Sequence, residues 1–253
     1  MNSPPYEVAD RDSSYLETVK NAYRRHLPPR YGVDVWDLRF REQLSDALVP
    51  GASIIDIGAG ARPTVAPPDR PAGCRYVGLD PSPEELGKAP EGSYDETVVA
   101  AAEDRIPELE NGFDLLLSFY TMEHVESLEA ALSNARAYLR PGGLLLMQMS
   151  GAFSPFSIAN RILPGRLSTW LLHRANDRDP GTVFRAHYDR CWSSALERLL
   201  AEWREAEVLP LHTGAGYVLF SRPLTALYMG YEEWAYRREH TNLASYYLVT
   251  ARP

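Results

Sequence analysis

Two short clusters of polar side chains in this sequence have the residue types needed for acid–base chemistry. The first is the pair Glu123 and His124, which directly follows the apolar run at residues 113–119. A neutral imidazole at such a position can take a proton from a substrate hydroxyl, so His124 is a candidate general base. The second cluster, residues 184–190 (FRAHYDR), contains a further candidate, His187. For both clusters a purely structural role is the alternative.

A glycine-rich turn earlier in the chain is typical of a ligand-binding loop. Residues 53–57 (SIIDI) resemble a short strand buried in a parallel sheet, and Gly58-Ala59-Gly60 follows them. Glycine lets the backbone turn where a side chain would collide with a ligand. A second apolar run ends on Asp80, where an acid can bind both hydroxyls of a ribose. For the glycines alone, a plain strand-to-helix turn is the alternative.

Two classes of ribose-containing ligand fit this pattern. A dinucleotide-binding loop carries three glycines and cradles a pyrophosphate, and the third glycine allows the following helix to pack closely against the strand. The corresponding position, three residues after Gly60, is Pro63. The acid-x-Gly-x-Gly loop with a later ribose-binding acid instead resembles the class I S-adenosylmethionine (SAM)-dependent methyltransferases. Their ligand has a ribose and an amino-acid tail but no phosphate.

Further motifs extend this resemblance over residues 51–150. Phe113-Asp114 is similar to the start of the fourth strand in these enzymes, and residues 139–146 (LRPGGLLL) resemble the signature of their fifth. Ala101 stands where the family has an adenine-binding acid, so Glu103 or Asp104 would replace it, unless the acids form an exposed loop. The resemblance implies SAM as cofactor. The implied cofactor-binding residues are Asp56, Gly58, Ala59, Gly60, Asp80, Pro81, Ala102, Glu103, Ser118 and Tyr120.

The same resemblance suggests a metal as an alternative role for the first cluster. Ubiquinone-pathway O-methyltransferases of this class carry a Glu-x-x-Glu-His metal site, and Glu123 and His124 resemble its end. Mg²⁺ held there would lower the pKa of an attacking hydroxyl. Because Tyr120 occupies the position of the first glutamate, the sequence favours the metal-free alternative, in which His124 takes the proton directly.

Hydrophobic periodicity and turn residues predict the elements that position these groups. We expect an α/β fold with a Rossmann-like, mostly parallel seven-stranded sheet and an inserted helical cap after the fifth strand. Prolines within residues 63–73 argue against a regular helix there. The predicted strands cover residues 53–57, 76–80, 97–100, 113–119, 144–149, 207–211 and 245–250. The resemblance to the methyltransferases implies that the last of them is antiparallel. The predicted helices cover residues 14–26, 36–48, 128–139 and 193–203, with others beginning at 83 and 223.

The predicted elements divide the chain into four segments. The resemblance implies that residues 1–50 are helices that close over the cofactor, 51–150 the SAM-binding core, 151–190 a helical cap over the acceptor, and 191–253 the rest of the same α/β domain. The cap holds six arginines and three aspartates in an otherwise acidic chain. A packed appendage, a dimer contact or a membrane-surface helix are the alternatives for this segment. In the helix from residue 223, the apolar and aromatic stripe Leu224, Leu227, Tyr228, Tyr231 and Trp234 is predicted to be core.

Composition argues against several kinds of partner. The 253 residues carry a formal net charge of −8, which is unsuited to non-specific nucleic-acid binding. Two cysteines predict no disulfide framework and fit a reducing cytoplasm. No apolar run reaches membrane-spanning length, and no signal sequence is recognisable. We therefore expect a cytoplasmic protein with a small-molecule acceptor, for which a homodimer is one arrangement.

The expected reaction is transfer of a methyl group from SAM to a hydroxyl of that acceptor. By resemblance, the loop variant followed by Pro-Thr-Val and the basic cap favour a sugar, an oligosaccharide or a glycosylated metabolite. One alternative is methylation of a polyketide phenol or an amine. Another is a SAM-binding module without turnover, which the lack of an acceptor pocket near the methyl position would favour.

Overall fold

The computed structural model describes residues 35–162, 185–218 and 221–253. The predicted helix at 14–26 and residues 163–184 of the predicted cap lie outside these ranges. No helix within them has the length and apolar character needed to cross a membrane. The helices are α1 (Val35–Ala47), α2 (Pro83–Gly87), α3 (Leu128–Tyr138), α4 (Pro155–Ile162), α5 (Ser193–Leu199) and α6 (Arg222–Arg237). The strands are β1 (Ser53–Ile57), β2 (Arg75–Asp80), β3 (Glu96–Val99), β4 (Phe113–Phe119), β5 (Leu139–Ser150), β6 (Glu205–Leu211) and β7 (Tyr246–Arg252).

The strands form one sheet in the order β3-β2-β1-β4-β5-β7-β6. The five strands β1 to β5 run parallel, and β7 is antiparallel to both β5 and β6. This confirms the predicted mostly parallel, seven-stranded Rossmann-like sheet with an antiparallel last strand. The strand order reverses between β1 and β4, so the loops after these two strands flank the position where open α/β sheets bind ligands.

Alternating side chains of the buried strands form a core on each face of the sheet. On one face Ile55 and Leu116 pack in a cluster that includes Leu132 of α3 and Leu196 of α5. On the other face Ile54, Leu115 and Leu146 pack with residues of α1 such as Phe40. Successive residues of a strand point to opposite faces, which explains why these strands are apolar throughout.

The connection from β1 to β2 has no α-helix, as the prolines predicted, and contains only a short 3₁₀ helix at Pro67–Asp69. Side chains hold this loop in place. The Arg70 guanidinium donates hydrogen bonds to the carbonyls of Val65 (2.9 Å) and Ser93 (2.6 Å). It also lies 3.8 Å from the centre of the Tyr76 ring. The contacts of the Arg70 side chain therefore replace the packing that a crossover helix would supply.

Two element predictions need correction. The fifth strand begins at Leu139, not 144, because the Pro-Gly-Gly segment continues it through an irregular register with β4. In α6, Leu224, Leu227 and Trp234 are 45%, 72% and 48% exposed, so these three residues of the predicted stripe are not core, whereas its Tyr228 is buried as predicted. The helix instead buries a face that includes Thr225, Tyr228, Glu232 and Ala235. On this face the buried Glu232 carboxylate accepts hydrogen bonds from the N–H groups of Gly214 and Ala215 and from the Ser245 hydroxyl. These bonds stabilise the helix with Glu232 facing the protein interior.

The connection between β6 and β7 brings the helix α6 to the carboxyl edge of the sheet. Leu211, the last residue of β6, pairs with Tyr246, which in turn pairs with Ser150 at the end of β5. The 3₁₀ helix Gly214–Val218 and α6 lie within this connection. The Tyr231 hydroxyl of α6 donates to the carbonyl of Phe153, 3.3 Å away, and so ties α6 to the segment that follows β5.

Candidate active site

The carboxyl ends of β1 and β2 bring the glycine loop beside Asp80. Gly58 and Gly60 have φ of +76° and +49°, in the left-handed region that favours glycine. The Gly60 N–H donates to the Asp80 carboxylate over 3.1 Å, and the Ser82 N–H donates to its other oxygen over 2.8 Å. Burial raises the pKa of Asp80, and these two hydrogen bonds oppose the rise. A half-buried carboxylate thus lies next to the glycine turn.

Gly58 is required by the loop that follows β4. A Cβ atom built on Gly58 would lie 2.1 Å from the hydroxyl oxygen of Thr121, which no ordinary packing tolerates. The first glycine therefore allows the loop after β1 to touch the loop after β4. These are the two loops at the strand-order reversal, so this close contact shapes the site itself.

Asp56 has a different role from the direct ligand contact that the sequence predicts. Its carboxylate is 1% exposed and accepts hydrogen bonds from the Tyr76 hydroxyl (2.7 Å), the Thr64 N–H (2.7 Å) and the Thr64 hydroxyl (2.9 Å). Burial raises the pKa of Asp56 to about 6, against the effect of these hydrogen bonds. The carboxylate therefore anchors the segment after the glycines, and its oxygens are occupied by the protein itself.

The sequence pattern missed a tyrosine that holds the glycine loop from the other side. The Tyr94 hydroxyl lies 2.9 Å from the carbonyl oxygen of Ala59 and 3.0 Å from that of Gly60. A Cβ atom on Gly78 would lie 2.7 Å from the Tyr94 ring, so the glycine in β2 makes room for this tyrosine. An isolated glycine within a strand often marks such a close approach, and it is the one sequence signal for Tyr94.

The segment after β3 places Glu103 in a structural contact. Its carboxylate accepts hydrogen bonds from the main-chain N–H groups of Glu126 (2.6 Å) and Ser127 (3.3 Å), just before α3. The buried Ala102 is held through its carbonyl by the Asn134 side chain, 3.0 Å away. Glu103 therefore orders the loop that carries His124, which the adenine-binding prediction did not foresee. Pro81, also predicted to bind cofactor, is exposed directly after β2.

Tyr120 lies at the end of β4 in a backbone conformation that is unusual for a residue with a side chain. Its φ is +54°, and its N–H donates to the carbonyl of Gln148 over 2.8 Å. The Gln148 amide also donates to the Tyr120 hydroxyl over 2.7 Å. The Tyr120 ring contacts those of Phe119 and Tyr246, with centroids 4.5 and 5.6 Å away. A positive φ strains a residue that has a side chain, and the surrounding contacts must hold it in place. Strained residues of this kind concentrate at functional sites.

Ser118 does not present its side chain at this edge. The residue is completely buried, and its hydroxyl has no hydrogen-bond partner within the described ranges. It shares a face of β4 with Leu116, which packs in the core on the α3 side. The predicted cofactor contact of Ser118 would therefore have to come from its main chain.

The two polar clusters of the sequence meet in the structure. The main-chain N–H groups of His187 and Tyr188 both donate to the carbonyl of Glu123 over 2.9 Å. The imidazole Nδ1 of His124 lies 3.1 Å from the carbonyl oxygen of Arg185. A carbonyl oxygen only accepts, so Nδ1 carries the hydrogen and the basic lone pair of the neutral ring is on Nε2. The His187 side chain is exposed.

The donor set around Glu123 does not fit the predicted Mg²⁺ site. The carboxylate is 4% exposed, and its Oε1 accepts from the Ser150 hydroxyl (2.8 Å) and the Ser150 N–H (3.3 Å). His124 is bonded to a different segment through Nδ1. Across the described part of the chain, no three His, Cys, Asp or Glu residues come together as metal ligands. Glu123 therefore joins the loop after β4 to the end of β5.

Comparison with known proteins identifies relatives of this chain. A family model described as "Methyltransferase domain" matches residues 23–204. An uncharacterized methyltransferase of Mycobacteroides abscessus is 28% identical over 128 residues, which cover 49% of this chain and 47% of that protein. The ubiquinone biosynthesis O-methyltransferase of Rhizobium etli is 32% identical over 113 residues, or 42% of this chain and 44% of that enzyme. The chain thus spans about half the length of the curated relatives it matches.

Solved structures share the fold at low sequence identity. Phosphoethanolamine N-methyltransferase 2 of Haemonchus contortus, in complex with S-adenosylhomocysteine, superposes with a TM-score of 0.53 at 15% identity, over 95% of this chain and 58% of that one. Geranyl diphosphate C-methyltransferase of Streptomyces coelicolor, in complex with Mg²⁺, geranyl diphosphate and S-adenosylhomocysteine, has a TM-score of 0.51 at 13% identity, over 96% and 84% of the two chains. Similarity at this level supports the architecture alone.

Proposed function

The chain belongs to the class I SAM-dependent methyltransferases, and from this premise we propose that it transfers a methyl group to a hydroxyl of a small acceptor. When bound, SAM supplies an electrophilic methyl group on its sulfonium. Asp80 would hold the ribose, because its carboxylate is at the tip of β2 beside the Gly60 turn. The φ of +49° at Gly60 supports this placement, because glycine readily adopts the conformation that turns the backbone here.

The orientation of His124 carries the proposal for the reacting end. The Arg185 carbonyl, 3.1 Å from Nδ1, holds the imidazole in the tautomer whose Nε2 can accept a proton. His124 would take the hydroxyl proton on Nε2 as the acceptor oxygen receives the methyl group that bound SAM would supply, with the sulfur leaving as a neutral thioether. Glu103, by ordering the loop before α3, would keep His124 in place. A positioned base of this kind contributes roughly 10²–10⁴-fold.

For the acceptor we propose a hydroxyl compound, either a carbohydrate or a phenol. The sequence favoured a sugar because of the basic cap, most of which lies outside the described residues. The half-buried rings of Phe119 and Tyr120 at the carboxyl edge support a planar phenol as the second candidate. The curated relatives named as O-methyltransferases support oxygen over nitrogen as the methylated atom.

The proposed organisation keeps the four segments of the sequence. Residues 51–150 would bind the cofactor, 1–50 would close over it, 151–190 would cover the acceptor, and 191–253 would complete the sheet. Two observations extend this division: Glu123 bonds residues 187 and 188 of the cap, and α6 adds a further element at the carboxyl edge. The free thiols of Cys74 and Cys191 fit the reducing cytoplasm, and a homodimer stays a prediction.

The deciding experiment supplies the protein with methyl-labelled SAM and a panel of sugars, phenols and amines. Mass spectrometry then identifies the methylated atom in any product. A methyl ether on a sugar or phenol supports the proposal and separates its two acceptor classes. An N-methyl product favours the amine alternative, whereas SAM binding without turnover of any panel member favours the non-catalytic module.

A further inference from the structure

Gln148 is the one polar residue in the apolar run 144–149 of β5. It is completely buried, and it pairs with Phe119 of β4 on one side and with Leu248 of β7 on the other. A buried amide costs free energy unless it is hydrogen-bonded, so an apolar residue would be the simpler choice at this position. The groups that Gln148 holds therefore explain its presence in the strand.

Gln148 holds Tyr120 at two points. Its carbonyl accepts a hydrogen bond from the Tyr120 N–H over 2.8 Å, and its side-chain amide donates to the Tyr120 hydroxyl over 2.7 Å. Any residue at position 148 would offer the carbonyl, whereas the second bond needs a side chain that hydrogen-bonds. The two bonds fix both the main chain and the tip of the side chain of Tyr120, and so maintain its strained φ of +54°.

The conformation of Tyr120 sets the position of the next residue, Thr121. The Thr121 side chain fills the space that a Cβ atom at Gly58 would need, so it lies directly against the glycine loop. The φ of Tyr120 determines the direction in which the chain leaves β4, and a change in it would move Thr121 away from that loop. A continuous series of contacts therefore joins Gln148 to the loop beside Asp80.

We propose that Gln148 is a positioning residue for the cofactor. Its amide keeps the loop after β4 against the glycine loop, in the arrangement that binds SAM. It acts through the hydroxyl of Tyr120, because its own side chain is completely buried. This inference rests on the SAM binding in the proposed function and deepens it, since it assigns part of the SAM affinity to a residue in the middle of the sheet.

The test measures the affinity for SAM by calorimetric titration of single and double variants. Gln148→Met keeps the length of the side chain and removes the donor, and Tyr120→Phe removes the hydroxyl that accepts from it. Each should weaken SAM binding by about tenfold, the scale of one neutral hydrogen bond. The double variant should also lose about tenfold, because both substitutions delete the same bond and their effects do not add.

Thr225→Val is the matched control. The buried Thr225 hydroxyl donates to the carbonyl of Val218 over 2.8 Å, in the connection between β6 and β7. The substitution also removes a buried hydrogen bond, but one that does not lead to the glycine loop. It should lower the free energy of unfolding and leave the affinity for SAM unchanged. Circular dichroism at the titration temperature checks that each variant is folded, which separates a loss of affinity from a loss of stability.

The inference is overturned if folded Gln148→Met binds SAM as tightly as the wild type, or if the losses of the two single variants add. An equal loss in Thr225→Val also overturns it, because any buried bond would then have the same effect. Should Gln148→Met fail to fold, Tyr120→Phe decides alone: a loss of about tenfold supports the inference, and unchanged affinity overturns it. In all these cases hydroxyl methylation, which the acceptor panel tests, still stands. A wild type that binds no SAM overturns both.

Discussion

The hydroxyl of Tyr76 in β2 donates a hydrogen bond of 2.7 Å to the buried carboxylate of Asp56 in β1. The same hydroxyl accepts from the Val65 N–H over 3.1 Å, and Asp56 accepts from Thr64. One buried pair of side chains therefore holds the loop that follows the glycines. The connection from β1 to β2 has no α-helix to pack against the sheet, so this pair of side chains fixes the connection to the strands instead.

The first prediction concerns this pair. Tyr76→Phe keeps the ring but removes the only hydroxyl hydrogen, so Asp56 loses a donor and the Val65 N–H loses its acceptor. We expect the free energy of unfolding to fall by about 1–3 kcal/mol, the cost of leaving buried polar groups unsatisfied. Urea titration followed by circular dichroism measures it. Tyr236→Phe, at an exposed tyrosine of α6, is the control and should change stability by under about 0.5 kcal/mol. A fully stable Tyr76→Phe protein would contradict the anchoring role.

The second prediction is a pH dependence that comes from Asp56. Burial raises its pKa in the folded protein from 3.8 to about 6, so the folded state binds the proton more tightly than the unfolded state. This contribution to stability is fully present below about pH 3.8 and is lost as the pH rises through about 6. Its size is about 3 kcal/mol, from roughly 1.4 kcal/mol per pKa unit.

To test this, the free energies of unfolding of the wild type and of Asp56→Asn are measured by urea titration at several pH values between about 4.5 and 7.5. This range brackets the protonation of Asp56 in the folded protein. Asparagine does not titrate, and the other carboxyl groups are common to both proteins, so the difference isolates Asp56. The stability of the wild type relative to the variant should fall steadily across this range and level off above about pH 7. A constant difference would contradict the raised pKa.

A third prediction tests the cofactor site. Asp80→Ala removes the carboxylate next to Gly60, and with it the charge-assisted hydrogen bonds to a ribose. We expect the affinity for SAM to fall by about 1.5–3 kcal/mol, measured by calorimetric titration. Asp114→Asn is the control, because Asp114 pairs with Arg140 at the opposite end of β4 and should leave binding unchanged. Unaltered affinity in Asp80→Ala would remove Asp80 from the site.

The fourth prediction separates the two histidines. If His124 is the proposed base, His124→Ala should lower kcat by roughly 10²–10⁴-fold while SAM affinity is retained, because the Arg185 carbonyl holds the tautomer whose Nε2 accepts the proton. His187→Ala should have a small effect, since the structure uses its main-chain N–H and leaves the side chain exposed. Steady-state kinetics with the acceptor identified from the panel measures both. A large loss in His187→Ala with normal kcat in His124→Ala would reverse the assignment.

The sequence by itself determined the fold class, the order of the elements and the family. Buried parallel strands leave continuous apolar runs, and sharp turns at strand ends require glycine, so β1 and its loop are readable from residues 53–60 alone. The proline-rich crossover was predicted for a similarly local reason, because prolines a few residues apart exclude a regular helix. The antiparallel direction of the last strand was instead implied by the resemblance to the family.

Only the tertiary structure decided what each polar side chain does. Asp56 finds its donors at Thr64 and Tyr76, and His124 is oriented by a carbonyl 61 residues away. The face of α6 that is buried likewise carries Glu232, whose carboxylate accepts hydrogen bonds from residues 214, 215 and 245. A buried polar group is stable only when it is hydrogen-bonded, and its partner can come from any strand or loop that the fold brings near. That pairing is set by three-dimensional geometry, which a local pattern of residue types does not contain.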